Sequence, residues 1–473
     1  MSDPLRTNSL SEQLISRATG SEPVSGNRIR ILKDAAENYP AWLEAIANAR
    51  KKIYFESYFI SDDEIGNRFI ALLAERARNG VSVRVIYDWL GGIGRSSARF
   101  WQKLRESGAE VRCFNPPRFD SRISWFSRDH RKMAAIDGRI GFVSGLCVGQ
   151  KWIGNPRRFV EPWRDTGVEM EGPVIADLEE AFAGVWEAAG PPIPRNELAA
   201  RHSIAPAGDV SVRVVPGLPT RAGLYRFDHL IAGLAREYLW LTDAYFVGVT
   251  PYVQALRAAV EAGVDVRLLV PGTTDIAMLQ ALSRVGYKPL LEAGIRIFEW
   301  NGPMLHSKTA VADRRWSRVG STNLNFSSWI GNYELDIAVE DEAFSKKMEV
   351  IYLEDLSRST EILLGEKNRL SAVRKRIADG GKGPLGANVS PVGAGALRLG
   401  NVVGSVVKNK RVLGPAGAKL MLGIGIFLLV MGVIGVLWPK WLSVPISLVF
   451  GWIGSTLLVN AYKLHREKRE HPP

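Results

Sequence analysis

The stretch His130-Arg131-Lys132-Met133-Ala134-Ala135-Ile136-Asp137 has a counterpart in His306-Ser307-Lys308-Thr309-Ala310-Val311-Ala312-Asp313. The chain has only 6 histidines, and two of them open this His-x-Lys-x-x-x-x-Asp octad. From average residue usage, a given histidine would carry Lys at +2 and Asp at +7 by chance roughly once in several hundred. Each octad runs into a second apolar strand, Ile140 to Val143 and Trp316 to Val319, across a short polar turn (Asp137-Gly138 and Asp313-Arg314). In a strand, residues two apart share a face. The histidine and lysine therefore project together, and the aspartate points away unless the turn redirects it. An imidazole beside an ammonium suits a phosphodiester: the cation holds the phosphate while the imidazole works on it. The aspartate reads as a brace at the turn rather than a proton carrier.

Working outward, the octads sit inside a longer repeat. Ile53-Tyr-Phe-Glu-Ser-Tyr-Phe-Ile60 is echoed by Trp240-Leu-Thr-Asp-Ala-Tyr-Phe-Val247. Asp63 to Asn79 and Pro251 to Ala262 then carry apolar residues at helical spacing, and Gly80 and Gly263 stop those helices before a strand. Glu106-Ser-Gly-Ala-Glu-Val111 matches Glu292-Ala-Gly-Ile-Arg-Ile297. The order of elements predicts an α/β fold of two like halves packed against each other. The reading divides the chain into a polar N-terminal tail (1–26), a first half (27–195), a linker (196–209) and a second half (210–364). A basic flexible linker (365–418), a membrane hairpin (419–462) and a basic tail (463–473) follow.

Composition supports a folded catalytic region with a membrane attachment. The chain is 473 residues long, 46% hydrophobic and 23% charged, enough for a large core. Its two cysteines, Cys113 and Cys147, form no disulfide framework and no metal motif, and read as buried thiols in a reducing compartment. The net charge is +12, and most of the excess lies between Lys367 and Lys419, where Asp379 is the single acid. Two apolar stretches follow, Leu420 to Trp438 and Leu442 to Ala461, each near the ~20 residues a spanning helix needs. Trp438, Trp441 and Tyr462 stand at their ends, where amphipathic rings favour the interface. Lysines and arginines flank both ends of the pair, which by the positive-inside rule puts both flanks in the cytoplasm. Met1 to Asn27 lacks the apolar core of a signal peptide. The catalytic region is thus expected on the cytoplasmic side, held by a C-terminal transmembrane helical hairpin.

The two octads, with Gly320-Ser321-Thr322-Asn323 after the second, are similar to the signature of the phospholipase D superfamily. The resemblance covers roughly 27–342. It implies a pseudo-twofold arrangement of two phospholipase-D-like halves with both octads at one cleft. The candidate catalytic set is His130, Lys132 and Asp137 with His306, Lys308 and Asp313. By the resemblance His130 attacks phosphorus and becomes a phosphohistidine, while His306 serves as acid and base. Lys132, Lys308 and Asn323 would bind phosphoryl oxygens, with Ser321 as support. Asp165, in Trp163-Arg164-Asp165-Thr166, and Glu334, in Asn332-Tyr333-Glu334, resemble the family's downstream acids and are candidates for orienting the imidazoles. Surface carboxylates are the alternative. No cofactor and no metal is implied.

One position departs from the pattern. The first half reads Ser144-Gly145-Leu146-Cys147, so Cys147 stands where an amide would bond phosphate. Arg118, Arg122, Arg128 and Arg131 interleave with Phe119, Trp125 and Phe126, and fit either a headgroup grip or a packed loop.

Glu56-Ser-Tyr-Phe-Ile60, Trp163-Arg-Asp-Thr166 and Leu305-His-Ser-Lys308 look like bacterial cardiolipin synthases. That resemblance implies transfer of a phosphatidyl group from phosphatidylglycerol to a second alcohol, at the bacterial cytoplasmic membrane. A hydrolytic phospholipase D is the alternative, and a membrane-tethered nuclease a more distant one. The expected partners are phospholipid and an anionic membrane surface rather than nucleic acid. Two octads in one chain make a monomer sufficient for the site. The acceptor alcohol and the oligomeric state are not legible in the residues.

Overall fold

The computed structural model describes residues 4–117, 126–219, 221–364 and 410–412, with Trp452 and Ser455. The octads fall where the alternation of the sequence places them, in the middle of a long mixed sheet. The first half contributes β1 (Val24–Lys33), β2 (Lys52–Ser57), β3 (Ser82–Asp88), β4 (Glu110–Phe114), β5 (Lys132–Ile136), β6 (Ile140–Ser144) and β7 (Thr166–Glu171). The second contributes β8 (Val210–Gly217), β9 (Tyr238–Thr242), β10 (Asp265–Pro271), β11 (Arg296–Trp300), β12 (Thr309–Ala312), β13 (Trp316–Gly320), β14 (Glu334–Glu340) and β15 (Ser359–Leu363). A last short strand, β16 (Lys410–Val412), pairs with β15.

The strand order is β16-β15-β11-β10-β9-β12-β13-β14-β8-β1-β7-β6-β5-β2-β3-β4. Read outward from the β8–β1 junction, the two halves list corresponding strands in the same sequence. The two halves therefore share one mixed sheet, joined antiparallel where Val24 faces Val212 and Asn27 faces Val210.

Local chemistry explains the helices between these strands. The helix Glu64–Arg78 starts at Asp63, whose carboxylate accepts from Gly66 N, and ends with Arg76 and Arg78 at the negative pole of its dipole. Gly80 and Gly263 both adopt positive φ (86° and 98°), the left-handed stop that the repeat predicts. Each half has its own core. Trp42 packs edge to face on Phe55 and Phe69 and tilted on Phe142 in the first, and Leu239, Leu256, Leu268 and Ile297 fill the second.

The N-terminal stretch differs from the expected polar tail. Pro4–Thr19 is a helix that packs against Gly223–Leu234, with Ile15 in the second-half core. Ser16 accepts from Arg213, which ties the helix to β8. The expectation failed because a single buried face in a short polar helix leaves a weak periodic signal. The linker is likewise packed down: Glu197 takes bonds from Lys52 and Arg84 of the first half.

A second unit gathers residues 115–127 with 414–473. Among its described residues, Asn115 donates from Nδ2 to the Ser127 carbonyl at 2.9 Å. The expected membrane hairpin lies outside the described residues apart from Trp452 and Ser455. The basic linker lies outside them apart from 410–412, and the Arg118 to Trp125 segment does so entirely. Among the described residues, no helix is long and apolar enough to cross a membrane.

Candidate active site

Both octads end in the same splint. The turns after β5 and β12 carry positive φ at Asp137, Gly138, Asp313 and Arg314, in tight three-residue connections between Ile136 and Ile140 and between Ala312 and Trp316. Asp137 turns its carboxylate to the backbone amides of Arg50, Lys51 and Lys52 (2.8, 2.8 and 2.9 Å). Asp313 does the same for Arg236, Glu237 and Tyr238 (2.8, 2.8 and 3.0 Å). Each aspartate fixes the chain entering β2 or β9, at the far end of its octad strand from the histidine. Asp137 and Asp313 of the candidate set thus each hold three backbone amides at a turn.

At the near end, the two halves reach into each other. The His130 amide donates to the Tyr333 carbonyl (2.9 Å) and the Tyr333 amide to Arg128 O (2.8 Å). Symmetrically, His306 N donates to Arg164 O (2.7 Å) and Arg164 N to Met304 O (2.9 Å). Two buried arginines stitch the crossing. Arg131 donates to the carbonyls of Glu334, Ala181 and Gly217, and Arg164 pairs with Asp355 and Asp34.

This crossing decides which acid serves which imidazole. His130 Nδ1 lies 3.0 Å from both Glu334 oxygens, and His306 Nδ1 lies 2.8 Å from Asp165 Oδ2. Asp165 and Glu334 are thus buried orienting groups rather than surface carboxylates, and each holds the histidine of the other half. A carboxylate only accepts, so Nδ1 carries the proton and Nε2 is the nitrogen left for substrate.

The acids are themselves held. Ser321 donates from Oγ to Glu334 Oε2 (2.5 Å) and accepts from Leu335 N (2.9 Å), which makes it a support of the acid. In the first half the corresponding residue is Gly145. A Cβ there would lie 2.2 Å from Asp165 Oδ1, so only glycine leaves room for the carboxylate. Trp152 Nε1 completes the hold on Asp165 at 3.2 Å.

His130, His306, Asn323 and Cys147 line one cleft of about 500 Å³, together with Tyr58, Tyr245, Trp152 and Trp163. Asn323 is 4% exposed, and its Oδ1 has no hydrogen-bond partner. That oxygen only accepts, so Nδ2 is the atom of this amide able to donate to a phosphoryl oxygen. Lys132 and Lys308 are buried behind the imidazoles, each donating to the carbonyl of its own octad histidine.

Tyr58 and Tyr245 are the functional neighbours that sequence reasoning missed. Each ring meets an imidazole edge to face, Tyr58 with His130 at 5.1 Å and Tyr245 with His306 at 5.8 Å between centroids. The ammonium groups of Lys132 and Lys308 lie over the same rings. The signal was present, since both tyrosines hold matching places in the repeated Tyr-Phe segments.

Electrostatics keep the imidazoles neutral and the acids charged. Burial, with Lys308 and Lys132, pushes His306 down to about 4. Burial also lowers His130, against the pull of Glu334. Burial pushes Asp165 and Glu334 up, but their histidine and lysine neighbours outweigh it and hold both below the ordinary carboxylate range. Burial brings Lys308 down to about 8. A neutral imidazole is a competent nucleophile toward phosphorus.

The sequence and fold have relatives. The family model described as cardiolipin synthase, PLD-like domain, matches residues 42–151 and 231–356, one copy per half. The chain is 33% identical over 368 residues to cardiolipin synthase A of Pseudomonas fluorescens (strain SBW25), covering 75% of this chain and 74% of that one. It is 32% identical over 366 residues to cardiolipin synthase A of Pseudomonas aeruginosa (strain LESB58), covering 76% and 74%. Among solved structures, the phosphatidylserine synthase of Haemophilus influenzae Rd KW20 superposes with a TM-score of 0.58 at 15% identity, over 78% of this chain and 98% of that one. That likeness is one of fold.

Proposed function

The chain belongs to the cardiolipin synthase group of phospholipase-D-like proteins, and on that footing we propose that it transfers a phosphatidyl group from phosphatidylglycerol through a phosphohistidine. It is a cardiolipin synthase A-like phosphatidyltransferase whose substrate is a phospholipid. The single observation that carries the mechanism is the pairing of two octad histidines in one cleft, each oriented by a carboxylate from the opposite half.

In this reading His130 Nε2 attacks phosphorus while His306 protonates the departing glycerol oxygen. Burial and the neighbouring lysines disfavour the His306 imidazolium in the free protein. An arriving phosphodiester anion favours its imidazolium by Coulomb attraction, so the proton is taken up with the substrate. His306 then removes the proton of the incoming alcohol, which attacks the phosphohistidine. Asn323 and the buried lysines stabilise charge on the phosphoryl oxygens. Cys147 offers no strong donor, so the second half supplies the side-chain amide. The apolar stretches Leu420 to Trp438 and Leu442 to Ala461 would anchor the catalytic halves on the cytoplasmic face of the bacterial membrane.

The test is lipid mass spectrometry of the purified full chain incubated with phosphatidylglycerol alone. Cardiolipin with an equivalent of glycerol is the expected outcome. Phosphatidic acid as the main product would replace the transferase with a hydrolase.

A further inference from the structure

Residues 151–163 form a loop that springs from the cleft wall. Its base is closed by a hydrogen bond from Trp163 N to Lys151 O (3.2 Å) and by Trp152 packing against Trp163 at 5.0 Å. Both tryptophans line the cleft, and both touch His306. The outer part is a compact knuckle. Asn155 N donates to Val160 O (2.7 Å), Val160 N returns to Asn155 O (3.0 Å), and Gln150 Nε2 pins Gly154 O (2.7 Å).

What this knuckle displays does not suit water. Phe159 at its tip is 95% exposed and sits in the left-handed region (φ 55°, ψ 32°), which a bulky residue adopts only when its surroundings hold it there. Val160 and Ile153 beside it are also exposed. Arg157 and Arg158 precede the phenylalanine, exposed and without an ion pair among the described residues, and Lys151 lies over Trp163 at the base. Glu161 is the one acid in the loop. Across the cleft mouth, Phe326 and Ile276 line the same cleft and are exposed.

We propose that the 153–160 knuckle is an interfacial finger: Phe159 enters an anionic bilayer while Arg157 and Arg158 bind lipid phosphates, seating the cleft mouth on the membrane. The charge complementarity selects the occupant. Two exposed guanidiniums beside an apolar tip match the phosphate layer above an acyl core, where each basic residue and each buried apolar group adds affinity. A protein partner would need a shape-complementary patch, for which an eight-residue knuckle is too small. The position also matters, because a lipid drawn up beside Trp152 and Trp163 reaches His306 without leaving the interface. The proposal rests on the phospholipid reading of the cleft.

The experiment uses the full chain in lipid nanodiscs, where Arg157 and Arg158 offer tryptic cleavage sites. Cleavage there should be slower by on the order of tenfold in discs rich in phosphatidylglycerol than in phosphatidylcholine discs, and F159D should remove that protection. In parallel, F159D and the R157A/R158A double variant should raise the apparent KM for vesicular phosphatidylglycerol by about tenfold. Turnover of monomeric dihexanoyl-phosphatidylglycerol should stay unchanged. Equal cleavage in the two discs overturns the proposal, as does an equal loss on monomeric lipid, which would make the loop structural. Protection already present in detergent and rising with protein concentration would assign the knuckle to a second copy of the chain and also overturn it. A wild type that turns over neither lipid sinks the functional reading instead, and the cleavage rates still decide the finger.

Discussion

Glu334 holds Nδ1 of His130 from the opposite half of the chain, with both carboxylate oxygens 3.0 Å away. The reciprocal pair, Asp165 and His306, closes at 2.8 Å. Each half therefore carries one imidazole and the acid for the other, and neither half alone presents an oriented histidine. E334Q and D165N should each lower kcat by roughly 10²-fold, the scale on which an oriented acid or base contributes. KM should move little, because neither acid lines the cleft. A large rise in KM with kcat intact would show that the acids bind substrate instead.

The two histidines should separate kinetically. H130N is expected to abolish turnover, since no phosphohistidine can form. H306N should accumulate a phosphatidyl adduct on His130 when given a lipid whose leaving alcohol departs without a proton, because the second step then lacks its base. Intact-protein mass spectrometry reads the adduct. Its appearance in H130N rather than in H306N would reverse the assignment.

Much of this site was legible in the residues, and the limits have physical causes. The octads and the tyrosine-bearing echo fix local strands, and local strands carry the period-2 signal that places His and Lys on one face. The exchange of acids was not legible, because it depends on parallel bridges between Asp129 and Tyr333 and between Arg164 and Leu305. Those bridges join segments that share no periodicity. Spacing from each octad suggested only that Asp165 and Glu334 were near. The stitching arginines were obscured similarly: Arg131 looked like a loop cation, yet it is 1% exposed and ties three carbonyls. The N-terminal helix was missed because its buried face is short.

The turn aspartates should behave as structural parts. D137A or D313A leaves three backbone amides without their charged acceptor. A loss of about 2–3 kcal/mol in unfolding free energy is expected, given partial access of water to these groups. The folded fraction should keep kcat within about threefold of wild type, since a brace does not enter the ~10²-fold range of acid–base groups. Thermal unfolding and kcat per folded molecule, measured on the same preparations, check this. A collapse of kcat without a change in Tm would return the aspartates to the chemistry.

Stability at acid pH should depend on His306 in a defined direction. Its folded-state value is about 4, whereas an imidazole in the unfolded chain protonates near 6.5. Between those values the unfolded chain binds a proton that the folded site refuses, so stability falls as pH drops. The slope is about 1.4 kcal/mol per pH unit, which sums to roughly 3 kcal/mol by pH 4. The wild-type profile alone hides this effect. Buried Glu56 and Asp243, both pushed up to about 7 by burial, hold protons in the folded state over the same window and act in the opposite sense. The difference between wild type and H306N removes the contributions of Glu56 and Asp243, which are common to the two proteins, and leaves that of His306 with its partner Asp165. Urea unfolding in detergent at pH 7 and pH 4 should show wild type losing about 3 kcal/mol relative to H306N. A difference that does not change with pH would mean that His306 titrates normally, and that burial and the neighbouring lysines do not hold it neutral against the pull of Asp165.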